Sequence, residues 1–298
     1  MYVQMGIDLG GTNIRAGLVD GQGRLCDVIK ERTRRDGGPQ ALVGQIIDIG
    51  NRLLKGRTVQ AVGICAPGVF MPDGTLRHAT NLAQGVEKLR LVESLKAAWG
   101  LPVFAENDAN AAALGEYVYG SGKGSESMYY VTVSTGIGGG FVWKGNIIQG
   151  FNGFAGEVGS VWVMEKKESF RTLAPGAVEG ISAGDAVLER ARESIDPGIA
   201  DAGQVLAMAA AGNKDARRLV DEMVKGLARM FADISCVVNP EVFVLGGGCM
   251  KSAEFFLEDV IRMYRELVPE SVRGTRFVRA GLEEPGILGC AVIAGRGV

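Results

Sequence analysis

Phe104-Ala105-Glu106-Asn107-Asp108-Ala109-Asn110-Ala111-Ala112-Ala113 joins two kinds of local structure. The apolar lead-in Leu101-Pro102-Val103-Phe104 predicts a short buried strand, and the alanine-rich run from Ala109 to Tyr119 predicts a helix. Three polar residues stand at the joint. Asp108 falls at the helix N-terminus, where the helix dipole and the free N–H groups favour an ionised carboxylate. Taken alone, the stretch reads as a helix cap, since Asn and Asp are favoured at that position. A further role for Asp108 depends on what the rest of the chain places around it.

Outward from this joint, strands alternate with helices, which predicts α/β architecture. Tyr2 to Leu9 reads as a strand, Gly10-Gly11-Thr12-Asn13 as a turn, and Ile14–Val19 and Arg24–Glu31 as two further strands. Pro39 to Lys55 is an amphipathic helix with Leu42, Val43, Ile46, Ile47, Leu53 and Leu54 on a broad apolar face. Val59 to Cys65 is apolar apart from Gln60 and does not alternate, as in a strand covered on both faces. A helix over Leu91–Trp99 leads into the joint. The pattern then restarts. Met128 to Ser134 is a strand, Thr135 to Gly140 a second glycine-rich turn, and Phe141–Trp143 and Ile147–Gln149 short strands, a weak duplication of architecture. Helices follow over Ser182–Ser194, Asp201–Ala211, Asp215–Val237, Ala253–Leu267 and Gly286–Gly295, with strands at Val242–Leu245 and Arg276–Ala280.

The chain has 298 residues, enough for one large or two ordinary domains. Its glycine content, 45 residues, is about twice the usual ~7% share, and the glycines cluster at strand ends. A net charge of −2 gives no electrostatic footprint for nucleic acid. Cys26, Cys65, Cys236, Cys249 and Cys290 form no C-x-x-C pair and lie among apolar residues, so buried, reduced thiols are expected. With a strand predicted from the second residue, no signal peptide is expected, and no run approaches the ~18 apolar residues of a membrane span. A cytoplasmic protein without membrane partners follows.

Three glycine turns end three apolar strands: Gly10-Gly11-Thr12, Thr135-Gly136-Ile137-Gly138-Gly139-Gly140 and Gly246-Gly247-Gly248. None is a Walker loop, and none completes G-x-G-x-x-G. Such turns still suit phosphate, because small residues let successive backbone N–H groups point at one anion. Asp8 precedes the first turn inside an apolar strand. A buried acid needs a partner, either nearby N–H groups or a hydrated Mg²⁺ beside phosphates, and the adjoining glycines favour the second. The only histidine, His78, lies in a loop and is assigned no role.

Asp8-Leu9-Gly10-Gly11-Thr12-Asn13, Glu106 to Ala112, Ser134 to Gly140, Gly156-Glu157-Val158-Gly159 and Leu245 to Gly248 occur in that order along the chain. In this the sequence resembles the ROK (repressor, open reading frame, kinase) family of sugar kinases, within the actin/hexokinase/Hsp70 ATPase superfamily. The resemblance implies two ribonuclease-H-like domains with a cleft between them: residues 1–118 with about 285–298, and residues 119–284. It implies ATP binding by Asp8, Gly10, Gly11 and Thr12, by Thr135, Gly136 and Gly138, and by Gly246 and Gly247, with Mg²⁺ near Asp8. Asn81, Asn107, Asp108, Glu157 and Glu179 match the family's sugar-binding positions, Glu179 through Gly176-Ala177-Val178-Glu179. Asp108 is implied as the general base toward the attacking hydroxyl, and a homodimer is implied because family members are commonly dimers.

Phosphoryl transfer needs positioning and charge neutralisation more than covalent chemistry, which suits such a set. The sequence departs from the family at its zinc motif. Ser160 stands at the position of a ligand His, and Leu173-Ala174-Pro175-Gly176-Ala177 replaces the end of a cysteine-rich run. A closed zinc site takes about four ligands, so no zinc is expected. The expected reaction is ATP-dependent phosphorylation of a hexose hydroxyl, the 6-hydroxyl of glucose or a close relative. N-acetylmannosamine, allose, mannose and fructose are alternative substrates, since one hydroxyl's orientation is decided by hydrogen-bond placement. A sugar-responsive transcriptional regulator would need a DNA-binding module before Asp8, and a noncatalytic sugar-binding relative would not need Asp108, Glu157 and Glu179 intact.

Overall fold

The computed structural model describes residues 3–297 apart from Pro72, His78, Thr80, Asn81, Ala83 and Gln84. The chain forms two compact units. The first comprises Met1–Gly124, Gly140–Ala155 and Gly281–Val298, and the second Ser125–Gly139 and Gly156–Ala280. No described helix is long and apolar enough to cross a membrane.

In the first unit the elements run β1 (Val3–Leu9), β2 (Asn13–Asp20), β3 (Leu25–Arg32), α1 (Gly38–Leu54), β4 (Val62–Ala66), β5 (Val69–Phe70), β6 (Leu76–Arg77), α2 (Leu91–Trp99), β7 (Val103–Asn107) and α3 (Asp108–Tyr119). The sheet order is β3-β2-β1-β4-β7, antiparallel through β1, β2 and β3 and parallel through β1, β4 and β7. Met5, Ile7 and Leu9 point to one face, where they join Leu42, Ile46 and Ile49 of α1 and Leu91 and Leu95 of α2 in one core. The residues between them point to the other face.

The chain continues through β8 (Ser127–Val133), β9 (Ile137–Trp143), β10 (Asn146–Ile147), α4 (Glu179–Ser182), α5 (Gly184–Ser194), α6 (Ala202–Ala210), α7 (Lys214–Val238), β11 (Val242–Gly246), α8 (Leu257–Leu267), β12 (Arg276–Arg279) and α9 (Pro285–Arg296). The second sheet has the order β10-β9-β8-β11-β12, the same succession as the first. The duplication read from the sequence is thus a repeat of strand order. In the second unit β8, β11 and β12 are parallel, and Phe231, Phe243, Tyr264 and Phe277 form a ring cluster between them and α7 and α8.

The far face of the first sheet carries α9, and sequence explains how closely. Gly17, Gly6 and Gly63 are register partners in one row across β2, β1 and β4. A Cβ at Gly6 would collide with the carbonyl of Ile287, and one at Gly63 with that of Cys290. The row is therefore a bare backbone trough into which α9 sinks. Gly289 likewise lets α9 meet the backbone of α3 at Ala111. This packing brings the start of α9 to the strand ends.

Several element boundaries differ from the sequence expectation. The buried strand begins at Val62, because Val59 packs in the core ahead of the sheet. The helix expected over Ser182–Ser194 breaks at Ala183, whose backbone is extended. The helix expected from Ala253 begins at Leu257, after a 3-10 stretch over Gly248–Phe255. The second glycine turn is shorter than its sequence suggested, since Ile137 to Gly140 already lie in β9. Cys26 and Cys236 are exposed, and only Cys65 and Cys290 are fully buried thiols. Cys26 sits on β3, where burial is interrupted, so apolar neighbours in sequence did not imply cover in space.

Candidate active site

Two residues toward the carboxyl ends of the parallel strands from the glycine row lies a second row, Arg15–Asp8–Cys65–Glu106. In-register residues share a face, so these four side chains project on the α9 side. Carboxyl ends of parallel strands are where ligands bind in open α/β sheets. Asp8 is enclosed there. Its Oδ2 lies 3.7 Å from Arg15 Nη1, and its Oδ1 accepts a 3.7 Å contact from the Cys65 thiol. A Cβ on Gly286 would come within 2.8 Å of Asp8 Oδ2, so the first turn of α9 can approach only as glycine. Burial pushes the Asp8 carboxyl up to about 6, helped by the negative charge of Asp108 and opposed by Arg15. Arg15 also pairs with Glu284 at 3.1 Å.

The first turn is shaped by Thr33, whose hydroxyl donates to the Gly10 carbonyl at 2.6 Å and whose N–H donates to Thr12 at 2.9 Å. Gly10 N–H is spent on Asn13, while no hydrogen bond of the described residues uses the N–H groups of Gly11 and Thr12. Two adjacent unspent donors beside a carboxylate are what a phosphate with a hydrated cation requires. Among the described residues no group of three His, Cys, Asp or Glu stands together as metal ligands. Mg²⁺ needs no such group, since one carboxylate, waters and substrate phosphates satisfy it, so Asp8 fits that role.

At the β7–α3 joint the structure corrects the sequence reading. The cap of α3 is Asn107, whose Oδ1 accepts from Ala109 N–H at 2.9 Å and Asn110 N–H at 3.1 Å. Its Nδ2 donates to the Gly68 carbonyl at 3.0 Å, which ties the joint to the end of β4. Asp108 is the first helical residue and is relieved of capping. Its Oδ1 accepts from Ala109 N–H at 2.8 Å, and Oδ2 has no hydrogen-bond partner among the described residues. Burial pushes its carboxyl above the ordinary carboxylate range, and the N–H groups of Ala109 and of Asp108 itself only partly offset this. The expectation that the helix terminus dominates its ionisation is therefore overturned: desolvation is the larger effect.

In the second unit the turn after β8 is held by Ser134 N–H donating to Gly136 O at 2.9 Å. Gly184 and Asp185, at the start of α5, donate to the carbonyls of Ser134 and Thr135 at 2.7 and 3.3 Å. Glu179, the first residue of α4, accepts from Ile137 N–H at 2.7 Å through Oε2. A Cβ on Gly136 would lie 2.6 Å from that oxygen. One Glu179 oxygen thus supports the turn, and no hydrogen bond of the described residues uses the other. Glu157 opens a short 3-10 turn over Val158–Ser160, and Ser160 is exposed. Thr135 is exposed at the turn, and Gly138 lies in β9. Gly246 ends β11 against the Tyr130 ring. Gly247 has φ +92, and a Cβ there would strike the Val133 carbonyl, so only glycine fits. Asn81 lies outside the described residues.

Asp8, Asn107 and Asp108 therefore come together in the first unit with Gly10, Gly11 and Thr12, and Thr135, Gly136 and Glu179 come together in the second. Sequence reasoning missed Arg15 and Glu284. Hairpin symmetry was the available signal for Arg15: with Gly10 to Asn13 as the tip, Asp8 must face Arg15 across the pair. No local signal marked Glu284.

The ROK family model matches residues 4–296. A ROK hexokinase from Thermus thermophilus has a similar solved structure, with TM-score 0.89, 32% identity and 99% of each chain covered. A ROK family glucokinase from Streptomyces griseus, solved in complex with glucose and AMPPNP, gives TM-score 0.81 at 28% identity over 99% of this chain and 100% of that one. An N-acetylmannosamine kinase from Citrobacter koseri is 31% identical over 290 residues, 97% of this chain and 98% of the relative. The fold is the two-domain, actin-like ATPase fold of sugar kinases. The chain belongs to the ROK family and is a sugar kinase of that family.

Proposed function

We propose that this protein transfers the γ-phosphoryl group of ATP to a hexose, at the 6-hydroxyl of glucose or a close relative, with Asp108 as the general base. The observation that carries the reading is the freed carboxylate of Asp108. Asn107 takes over the capping of α3, which leaves Asp108 Oδ2 without a protein partner at a strand end lined by Asp8 and the Gly10–Thr12 turn. A sugar hydroxyl is a weak acid, so a carboxylate with a raised proton affinity is a better acceptor than an ordinary one. Asn107 and Glu179 each keep hydrogen-bonding capacity for sugar hydroxyls, and Glu157 is assigned to the same task. Gly10, Gly11, Thr12, Thr135, Gly136, Gly138, Gly246 and Gly247 are assigned to the nucleotide. Mg²⁺, held near Asp8 with the phosphates, would neutralise phosphate charge.

Kinship to both a glucokinase and an N-acetylmannosamine kinase puts both sugars in the test. ADP release is measured with ATP, Mg²⁺ and a panel of glucose, mannose, fructose, allose and N-acetylmannosamine. Turnover with at least one sugar, and a loss of ~10²–10⁴ in kcat for Asp108→Asn, is expected. No turnover with any of them would refute the substrate class, and full turnover by Asp108→Asn would refute the base.

A further inference from the structure

Glu106 is assigned to neither substrate, yet it is among the most enclosed acids of the first unit, at 7% exposure. Three neutral donors converge on it. Its Oε1 accepts from Asn107 N–H at 2.8 Å and Asn110 Nδ2 at 3.0 Å, and its Oε2 accepts from Gln149 Nε2 at 2.6 Å. Two of these donors flank Asp108 on the first turn of α3. The third comes from a loop far along the chain, beyond β10.

That loop is itself anchored. Ala155 N–H donates to the Gln149 carbonyl at 3.0 Å, closing its base, and Ile148 N–H donates to Phe141 O at 2.9 Å. Gly153 lies against β5, where a Cβ would come within 2.7 Å of Val69 Cγ1. The network carries one flaw. Turning its amide nitrogen to Glu106 leaves Asn110 Oδ1 buried without a partner. Buried polar atoms are nearly always satisfied, so an arrangement that leaves one unpaired to keep three donors on Glu106 calls for a reason beyond stability.

We propose that Glu106 and Gln149 are positioning residues for Asp108, and that their hydrogen bond clamps the β7–α3 joint in its reactive setting. The inference rests on the reading of Asp108 as the base. Glu106 grips the residue before Asp108 and the residue two after it, and Gln149 fixes the oxygen of Glu106 that those two do not reach. Without that donor, one oxygen of a buried carboxylate is unsatisfied, and the group must turn away from Asn107 and Asn110. A displacement of ~1 Å at a reacting group costs on the order of 10² in rate.

The test uses the full chain with ATP and whichever sugar the wild-type protein turns over. Gln149→Leu is expected to lower kcat by ~10- to 100-fold, with the KM for ATP unchanged within about twofold, a split that partial unfolding would not give. Gln149→Glu places two carboxyl groups where one hydrogen bond stood, so they must share a proton. Its kcat relative to wild type is expected to be near normal at pH 6 and to fall by pH 8. Adding Glu106→Gln restores a donor–acceptor pair of reversed polarity and is expected to recover kcat at pH 8. If Gln149→Leu fails to fold, the Gln149→Glu profile and its recovery decide the matter. Wild-type kcat in Gln149→Leu, a flat ratio in Gln149→Glu, or no recovery in the double variant would overturn the clamp. Asp108→Asn, run alongside, separates the two ideas. If it retains turnover, the base assignment fails and the clamp with it. If it is inactive while the Gln149 variants are normal, only the clamp fails.

Discussion

Replacing Asp8 by Asn should make the protein more stable at neutral pH and less active, and the stability gain should vanish in acid. In the folded protein burial raises this carboxyl from the ordinary 3.8 to about 6. Its side chain is only 19% exposed, so solvent screening is limited. The folded state therefore holds the proton more tightly than the unfolded state does. The penalty is absent below 3.8, where both states are protonated. It grows as the unfolded chain ionises and levels off once pH has passed through the folded value. The full cost is about 3 kcal/mol at 1.36 kcal/mol per unit, and about 2 kcal/mol of it accrues between pH 4 and pH 7. Asn has no such titration. Urea unfolding of both proteins across that range is the assay, and the difference between them cancels every other titrating group. The Asn variant should gain about 2 kcal/mol on the wild type as pH rises from 4 to 7, with half of the gain reached near pH 5. A difference that stays flat with pH would show that Asp8 is not desolvated as its row in the sheet requires. Loss of ATP-dependent turnover in the same variant would mark the usual exchange of stability for function at a site.

Other consequences follow from the same packing. The kcat of the wild-type protein should fall on the acid side with a midpoint above the ordinary carboxylate range, because burial raises Asp108 and a base must be deprotonated; a pH–rate profile flat down to pH 4 would contradict this. Asn107→Ala removes the α3 cap and the tie to Gly68, and should cost about 1–2 kcal/mol in urea unfolding together with a drop in kcat. Gly63→Ala drives a methyl into the Cys290 carbonyl and must lift α9 from its trough. A destabilisation of about 1–3 kcal/mol is expected, and an unchanged unfolding midpoint would mean that α9 does not lie in that trough.

Much of the first unit was legible because its signals are local. Apolar stretches marked β1, β4 and β11, an amphipathic face marked α1, and glycine after a strand marked each turn. The family motifs are contiguous for the same reason, since a phosphate turn is made by neighbouring backbone N–H groups. Misreadings arose where burial decided the outcome. Cys26 was expected inside and lies outside, and Asp108 was given an ionisation set by the helix dipole when desolvation outweighs it.

By itself the sequence determined the alternation of strands and helices, the three glycine turns, and the residues at the end of β7, because these depend on periodicity and on what each backbone conformation permits. Only the tertiary structure decided which of those residues act together. Sheet register set Arg15, Asp8, Cys65 and Glu106 in one row, and the glycine trough brought the first turn of α9 against Asp8. At Phe104–Ala113 it gave the cap to Asn107, left one oxygen of Asp108 unpaired among the described residues, and brought Gln149 to Glu106. Those assignments turn on strand pairing and desolvation between residues far apart in the chain, and no window of sequence contains them.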